Sequence, residues 1–395
     1  MRTGLEVAAA SRFSVLRGLR VGAICNPTAV DRRFVHLADH LAAAEGVHLA
    51  ALFGPEHGIR GSAQDMIHVA GGVRDPRTGV LVHSLYGPTF DSLAPTPAML
   101  EGLDVLVYDV QDVGARYYTF VYTMALCMRA AGRAGIKFVV LDRPNPIDGV
   151  HVEGNRVREP FRSFVGLYDL PNRHGMTAGE LAQLFNELHP PEERCALEVI
   201  RCEGWDRTKE WDATGLHWIP PSPNMPTVDT ARVYPGMCLL EGTNLSEGRG
   251  TTRPFELWGA PFLDPEALAE RLAAEALPGV LFRPAYFEPT FQKHGRQMCG
   301  GVMLHVTDRE AFLPVRTGVA CLLAARELGG DAFRWRTEEY EYRSDVPAID
   351  LLAGNDELRQ GIDAGRSLAE LTASWDGELS AFLPLRKRHL LYPEA

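Results

Sequence analysis

Several features that mark common classes of protein are missing from this sequence of 395 residues. Its seven cysteines form no Cys-x-x-Cys pair, which argues against a zinc site or a disulfide framework and favours reduced thiols. No stretch approaches the roughly 18 apolar residues that a membrane span needs. Residues 1–20 have no apolar core of the kind found in signal peptides. We therefore expect a cytoplasmic protein without a membrane segment.

Long basic runs are also missing. Lys and Arg number 40 and Asp and Glu number 51, so the formal net charge is −11. Surfaces that bind nucleic acid are normally basic, and we therefore expect no nucleic-acid partner. The first predicted strand, Arg20 to Pro27, is not followed by the Gly-x-Gly-x-x-Gly pattern that lets a backbone approach a pyrophosphate. We expect no nucleotide and no other cofactor, and the sequence does not indicate an oligomeric state.

Short apolar runs alternate with helical patterns in the first half of the chain, which is typical of an α/β fold with a parallel sheet. Four prolines between Ile219 and Pro226 break this alternation, because proline fits neither a central strand nor a helix interior. We therefore predict a Rossmann-like α/β domain over residues 1–222 and a smaller α+β domain over residues 223–395. The active-site cleft is expected between the two domains.

Three predicted strands end in acidic residues followed by turn residues: His48 to Phe53, Val105 to Tyr108 and Ile136 to Leu141. In open α/β sheets, ligands bind in the crevice beyond the carboxyl ends of the strands. The polar residues predicted to share that crevice are Glu56, His57, Asp109, Asp112, Arg116, Asp142 and Asn145. The Gly-rich, polar stretch from Ile59 to Arg77 is expected to form a surface excursion nearby.

A second polar segment, Glu241 to Arg253, follows the proposed domain boundary. It contains too many donors and acceptors to be core, so it is either a long exposed loop or the second domain's contribution to the site. Its side chains suit the recognition of sugar hydroxyls or carboxylates. The candidates are Asn244, Ser246, Glu247, Arg249 and Thr251.

Five segments together resemble the signature segments of the NamZ-type exo-β-N-acetylmuramidases, a bacterial family. They are Phe53 to Gly58, Tyr108 to Thr119, Leu141 to Pro146, Val152 to Gly154 and Glu241 to Thr252. The resemblance covers essentially the whole chain and implies a Rossmann-like domain without a nucleotide, a smaller C-terminal domain and a cleft between them. It implies hydrolysis of the β-1,4 bond that holds N-acetylmuramic acid at the non-reducing end of peptidoglycan fragments, in cell-wall turnover or recycling. Family members are often exported, whereas the cytoplasmic expectation for this chain favours recycling of imported muropeptides or disaccharides.

Glycoside hydrolysis generally needs an acid that protonates the leaving oxygen and a nucleophile or base opposite it. Glu56 is the predicted general acid, and His57 is expected to orient it. Asp109 and Asp112 are the candidates for the second group. Neighbouring parallel strands lie about 5 Å apart, and two strands with one between them lie about twice as far apart. These distances span the carboxyl separations of both retaining and inverting enzymes, so the sequence does not choose between retention and inversion. A third option is attack by the substrate's own acetamido group.

Muramic acid carries a lactyl carboxylate, and Arg116 or Arg249 could bind it with two hydrogen bonds. The alternative for Arg116 is an internal ion pair with Asp109 or Asp112. Under the resemblance, the full set of expected substrate-binding residues is His57, Arg116, Tyr117, Asp142, Asn145, Glu241, Asn244, Ser246, Glu247, Arg249 and Thr251.

Two other classes of function stay open at this point. One is a metal-dependent amidase or esterase acting on muropeptides through Asp109, Asp112, Asp142 and His57, which would lose its activity in chelator. The other is a non-catalytic, two-lobed muropeptide-binding protein that closes on a sugar without turning it over. Neither class needs a change in the predicted fold.

Overall fold

The N-terminal half of the chain is built on a seven-stranded sheet in the computed structural model, which describes residues 1–59 and 72–393. The strands are β1 (Arg20–Cys25), β2 (His48–Gly54), β3 (Val73–Arg74), β4 (Leu81–Ser84), β5 (Val105–Asp109), β6 (Lys137–Leu141) and β7 (Leu197–Ile200). Their order across the sheet is β3-β4-β2-β1-β5-β6-β7. The pairs are parallel apart from β3, which runs antiparallel to β4 at the edge. The expected Rossmann-like sheet is confirmed.

The helices of this half lie beside the sheet and cover its central strands. They are α1 (Gly4–Ala10), α2 (Leu37–Ala43), α3 (Pro97–Leu100), α4 (Phe120–Ala134) and α5 (Ala178–Leu188). Helix α6 (Val228–Met237) follows the proline-rich segment and belongs to the C-terminal half. Every residue of β5 is buried, as its unbroken apolar run predicts for a strand covered on both faces. Helix α5 starts at a capping box formed by Thr177 and Glu180. Most of the excursion predicted for residues 59–77 lies outside the described residues.

The C-terminal half holds a smaller antiparallel sheet in the order β8-β10-β9, made of β8 (Leu257–Ala260), β9 (Val280–Phe287) and β10 (Cys299–Val306). Its helices are α7 (Pro265–Ala273), α8 (Pro314–Gly329), α9 (Ala348–Ala353), α10 (Glu357–Asp363), α11 (Leu368–Thr372) and α12 (Trp375–Lys387). This confirms the expected α+β class. The sequence from Leu368 to Phe382 predicts one helical region, and the structure divides it into α11 and α12.

The two halves share one apolar core, which extends from Ile24 in β1 to Phe382 in α12. Helices α6 and α8 cross where both carry a glycine. A Cβ atom added to Gly236 would lie 1.8 Å from the carbonyl oxygen of Pro314, and one added to Gly318 would lie 2.2 Å from the carbonyl oxygen of Gly236. Only residues without a side chain allow this backbone contact.

The strand order reverses direction between β1 and β5, and this is the place where open α/β sheets usually bind ligands. Here the chain covers the crevice itself. Asn26, just after β1, donates from Nδ2 to the carbonyl oxygen of Pro221 at 3.2 Å. Trp211, His217 and Ile219 line the remaining small cavity. The segment of residues 211–221 therefore lies over the carboxyl ends of β1 and β5.

Within the described parts of the chain, no helix combines the length and apolar character needed to cross a membrane.

Candidate active site

The carboxyl end of β2 delivers an acid and an imidazole on one tight turn. The carbonyl oxygen of Pro55 accepts a hydrogen bond from the N–H of Gly58 at 2.9 Å, which closes a four-residue β-turn. His57 occupies its third position with φ of +67°, a left-handed conformation that side chains other than glycine and asparagine seldom adopt. Glu56 is 7% exposed and His57 is 6% exposed, so the turn presents two largely buried polar groups.

The segment that joins β5 to α4 lies against this turn. Thr119 donates from Oγ1 to Glu56 Oε2 at 3.4 Å, and the ring of Phe120 meets that of His57 edge to face. Tyr118 donates its hydroxyl to Ser222 Oγ at 3.0 Å. This bond connects the segment to residues 219–226, the proline-rich linker between the two predicted domains. The linker, which separates the two predicted domains in sequence, therefore forms part of the pocket wall.

The C-terminal half supplies a charged wall. Arg249 forms ion pairs through Nη1 with Glu241 Oε1 at 2.9 Å and with Glu247 Oε1 at 3.0 Å, and it donates a hydrogen bond to the latter. Tyr340 donates its hydroxyl to the other oxygen of Glu241 at 2.8 Å. Burial acts to raise the pKa of Glu247, but the charges of Lys293 and Arg249 outweigh it and hold that pKa below its ordinary value. Glu247 is therefore ionised and anchors Arg249 from behind.

These walls enclose a polar pocket. It is lined by three carboxylates, one guanidinium and a set of aromatic rings. The rings of Tyr118 and Tyr234 meet edge to face at 5.6 Å, and Tyr234 meets Phe255 in the same way at 4.8 Å. The three carboxylates are Glu56, Glu241 and Glu341. A hydroxylated ligand that carries one negative group fits this combination of acids, rings and a single arginine.

Both halves of the chain match domain models of one protein family. Residues 21–229 match the model of the N-terminal domain of the exo-β-N-acetylmuramidase NamZ, and residues 232–392 match the model of its C-terminal domain. The chain belongs to the NamZ family of exo-β-N-acetylmuramidases. The resemblance found in the five sequence segments is confirmed.

Similar proteins support this membership over the full length. The peptidoglycan β-N-acetylmuramidase NamZ of Bacillus subtilis (strain 168) is 45% identical over 392 residues, which cover 99% of this chain and 91% of that protein. A crystal structure of a DUF1343 family protein from Bacteroides fragilis NCTC 9343 has a TM-score of 0.89 and 35% identity, with 99% of both chains covered. A second protein of that description from the same organism has a TM-score of 0.79 and 30% identity, with 100% of this chain and 99% of that chain covered.

Five of the residues predicted for the site of this NamZ-family protein do line the pocket. They are Glu56, His57, Tyr117, Glu241 and Arg249. Glu247 lies behind Arg249 and supports it. The segment from Glu241 to Arg253 is thus the C-terminal half's contribution to the pocket. The alternative of a long exposed loop is wrong, because most of its residues are buried.

Asp109 and Asp112 do not reach the pocket. Asp109 is fully buried and forms an ion pair with Arg143, whose Nη2 lies 3.0 Å from Asp109 Oδ2. Asp112 accepts a hydrogen bond from the N–H of Gly114 at 2.8 Å and lies 3.4 Å from His174 Nε2. Both carboxylates therefore have partners inside the protein, away from the residues that line the pocket.

Arg116 has a structural role and does not face the pocket. It is fully buried and donates to the carbonyl oxygens of Asn155, Leu170 and Leu352 at 2.7 to 2.8 Å. The internal ion pair considered for it with an aspartate is not formed either, because its contacts are with backbone carbonyls. Of the two arginines considered for the lactyl carboxylate, Arg249 is the one in the pocket.

Asp142 and Asn145 also bind neighbouring segments instead of lining the pocket. Asp142 accepts hydrogen bonds from Thr177, from the N–H of Gly179 and from Tyr392, and burial raises its pKa to about 6. Asn145 donates to the carbonyl oxygen of Met176. These contacts fix the start of α5 and the turn after β6.

Three polar residues of the second segment shape their own loop. Asn244 bonds to the backbone of residues 332 and 334, Ser246 accepts from the N–H of Gly248, and Thr251 donates to the carbonyl oxygen of Gly248. None of the three is among the residues lining the pocket. Their contacts hold Glu247 and Arg249 in place.

The prediction of the pocket from sequence missed Tyr118, Thr119, Ser222, Asn224, Tyr234, Tyr340 and Glu341. Tyr118 and Thr119 stand in a segment that carried the family resemblance, so position alone could have included them. Ser222 and Asn224 were assigned to a linker, although a proline-rich segment is rigid enough to form a wall. Glu341 stands between two tyrosines in a charged stretch, a pattern that resembles ordinary surface.

The four residues considered for a metal-dependent reaction do not converge. Asp109 and Asp142 lie behind the carboxyl ends of β5 and β6 with the partners described above, while His57 faces the pocket from the end of β2. Across residues 1–59 and 72–393, no group of three or more His, Cys, Asp or Glu side chains is arranged to hold a metal ion.

Proposed function

We propose that this protein is an exo-acting β-N-acetylmuramidase that releases N-acetylmuramic acid from the non-reducing end of peptidoglycan fragments. The observation that carries the proposal is the position of Glu56, a buried carboxyl group held on a strand-end turn inside the pocket of a NamZ-family protein. The relative from Bacillus subtilis, named a peptidoglycan β-N-acetylmuramidase, supports the substrate class.

Glu56 acts as the general acid. Its carboxyl proton moves to the glycosidic oxygen while the bond from that oxygen to the anomeric carbon breaks, and a water molecule supplies the hydroxyl group that replaces it. Thr119 and the tight turn with His57 fix the direction of the carboxyl group. A general acid in a pocket closed by aromatic rings works where little water competes for its proton.

Arg249 binds the lactyl carboxylate that distinguishes muramic acid from glucosamine. Its guanidinium is held between Glu241 and Glu247 and lies over the ring of Phe255 at 5.1 Å, so its direction is fixed before a substrate arrives. The walls of the cleft come from both sides of the proline-rich linker, and we retain residue 222 as the proposed division between the domains.

We also propose that the protein works in the cytoplasm on muropeptides or disaccharides recovered from the wall. All seven cysteines are free thiols and all are buried, which suits a reducing compartment.

A pair of isomeric disaccharides tests the function. MurNAc-β-1,4-GlcNAc carries muramic acid at its non-reducing end, and GlcNAc-β-1,4-MurNAc carries it at the reducing end. We expect hydrolysis of the first only, with or without chelator, and a loss of about 10³-fold in kcat for Glu56→Gln. Glu310→Gln, an exposed glutamate far along the chain, serves as the matched control and should keep full activity.

Hydrolysis of the second disaccharide would contradict the proposed specificity. Loss of activity in chelator would favour the metal-dependent alternative. Tight binding of both disaccharides without any product would make the protein a binding protein.

A further inference from the structure

The pocket holds three carboxylates, and one of them is committed to the wall. Both oxygens of Glu241 are engaged, one by Arg249 at 2.9 Å and the other by the hydroxyl of Tyr340 at 2.8 Å. Its charge is therefore compensated by a neighbouring cation, which makes it a poor nucleophile or base. Glu56 and Glu341 are the other two.

Glu341 is held on a strained turn. Tyr340 and Arg343 exchange two backbone hydrogen bonds, at 2.9 and 3.0 Å, and enclose a two-residue loop. Both loop residues are left-handed, with φ of +47° at Glu341 and +67° at Tyr342. This is the geometry of a type I′ turn, which strongly prefers Asn-Gly. A glutamate at this position costs conformational free energy that asparagine or glycine would avoid.

The surroundings of the turn hold it in this conformation from two sides. Tyr342 contacts the N-terminal half of the chain. It donates its hydroxyl to the carbonyl oxygen of Gly87 at 3.1 Å and packs edge to face against Tyr86, Phe90 and Phe164. Tyr340 contacts the C-terminal half, where its hydroxyl donates a hydrogen bond to Glu241. Strained residues persist where neighbours over-determine them, and they cluster at active sites.

In the wall formed by the N-terminal half, His57, the neighbour of Glu56, also has a left-handed backbone. Glu341 is 6% exposed and lines the same pocket as Glu56. A carboxylate therefore lines the pocket at a turn position whose backbone favours asparagine or glycine. A strained acid in a pocket indicates a chemical role.

We propose that Glu341 is the second carboxylate of the reaction and acts at the anomeric carbon, opposite the proton donor Glu56. As the glycosidic bond breaks, its electron pair leaves with the oxygen that Glu56 protonates, and positive charge develops at the anomeric carbon. The Glu341 carboxylate stabilises that charge. Water then supplies the hydroxyl to this carbon, and its remaining proton returns to the pair of carboxyl groups. The inference rests on the proposed function.

Leaving-group dependence separates the two roles. A 4-nitrophenyl β-N-acetylmuramide has a leaving group that departs without protonation, whereas the disaccharide MurNAc-β-1,4-GlcNAc needs an acid. We expect Glu56→Gln to lose about 10³-fold in kcat on the disaccharide and far less on the aryl glycoside. Glu341→Gln should lose about 10³-fold on both, because charge at the anomeric carbon develops with either leaving group.

Two further variants keep the test independent of folding. Glu339→Gln makes the same change at an exposed residue two positions away and should keep full activity. Glu341→Asn suits the left-handed turn better, so it should raise the melting temperature while losing activity as Glu341→Gln does. A rise in stability together with a loss of kcat is not expected of a residue with a merely structural role.

Each outcome decides the matter. Glu341→Gln or Glu341→Asn with kcat within tenfold of the wild type on both substrates would overturn the inference, as would a loss confined to the disaccharide. If the wild type itself hydrolyses neither substrate, the proposed function fails instead, so the two failures are distinguishable.

Discussion

At the scale of single residues, the proposed specificity for muramic acid depends on Arg249. It lies between Glu241 and Glu247, and the ion pair of Glu247 with Lys293 leaves the local charges balanced before any ligand binds. A bound lactyl carboxylate then adds one negative charge beside a guanidinium whose position is already fixed. Charge-assisted hydrogen bonds of this kind contribute about 1.5 to 3 kcal/mol each, enough to separate muramic acid from glucosamine.

We predict that Arg249→Gln raises the inhibition constant of free N-acetylmuramic acid by about 10- to 100-fold, as the loss of one such contact implies. The inhibition constant of N-acetylglucosamine should change little, because it has no carboxylate. Arg249→Lys should fall between, since lysine keeps the charge but lacks the planar fork. Inhibition assays with both sugars measure this.

Arg253→Gln is the matched control, because Arg253 is half-exposed and pairs with Glu256 outside the pocket lining. It should leave both inhibition constants unchanged. If Arg249→Gln raised the inhibition constants of both sugars equally, Arg249 would support the pocket without binding the lactyl carboxylate.

At the scale of elements, strands β2 and β5 show what the sequence could predict about the site. Both are apolar runs that end in acids, and the strand-end rule selected Glu56 and Asp109 alike. Glu56 lines the pocket, whereas Asp109 is buried against Arg143. The difference comes from residues 211–221, which cover the crevice beside β5. That packing joins residues nearly 200 positions apart, and local patterns do not encode it.

Some elements could be predicted from local patterns and others could not. The apolar run from Val280 to Phe287 predicts a strand, and β9 has those bounds. The pattern Thr177-Ala-Gly-Glu180 predicts a capping box, and it is present at the start of α5. Helices α9 and α10 have six and seven residues, too few to display a helical period. Helix α6 contains Pro235, which argues against a helix in any local reading of the sequence.

The crossing of α6 and α8 gives a prediction at this scale. Gly236→Ala should lower the free energy of unfolding by about 3 kcal/mol, because its methyl group would overlap the carbonyl oxygen of Pro314 and force the helices apart. Gly377→Ala in α12 is the control, since no atom lies within 4 Å of its added Cβ. It should stabilise by about 0.5 to 1 kcal/mol through helix propensity. Urea unfolding compares the two, and equal effects would contradict close helix contact.

For the whole molecule, the shared core and one buried acid connect the two halves. Glu153 accepts hydrogen bonds from the N–H groups of Val315 and Arg316, at 3.1 and 2.7 Å, at the start of α8. Burial raises the pKa of Glu153 to about 7 in spite of these bonds. The carboxyl group therefore holds its proton in the folded protein over a pH range in which it is ionised in the unfolded chain.

This gives a pH dependence with a definite sign. Between about pH 4.5 and pH 7 the folded state binds more protons at Glu153 than the unfolded state, so stability falls as pH rises through that window. We predict that the wild type loses about 3 kcal/mol relative to Glu153→Gln across it. Unfolding of both proteins at several pH values measures the difference, and exposed Glu159→Gln should behave as the wild type. A constant difference would contradict the raised pKa.

The pocket is assembled from both halves of the chain. Glu56 comes from the N-terminal half, Ser222 from the linker, and Glu241 and Glu341 from the C-terminal half. A recombination event that exchanged one half between two relatives would replace one wall of the pocket and keep the other. The two halves are therefore expected to be inherited together. A substitution on one wall of the pocket should favour a compensating substitution on the other wall.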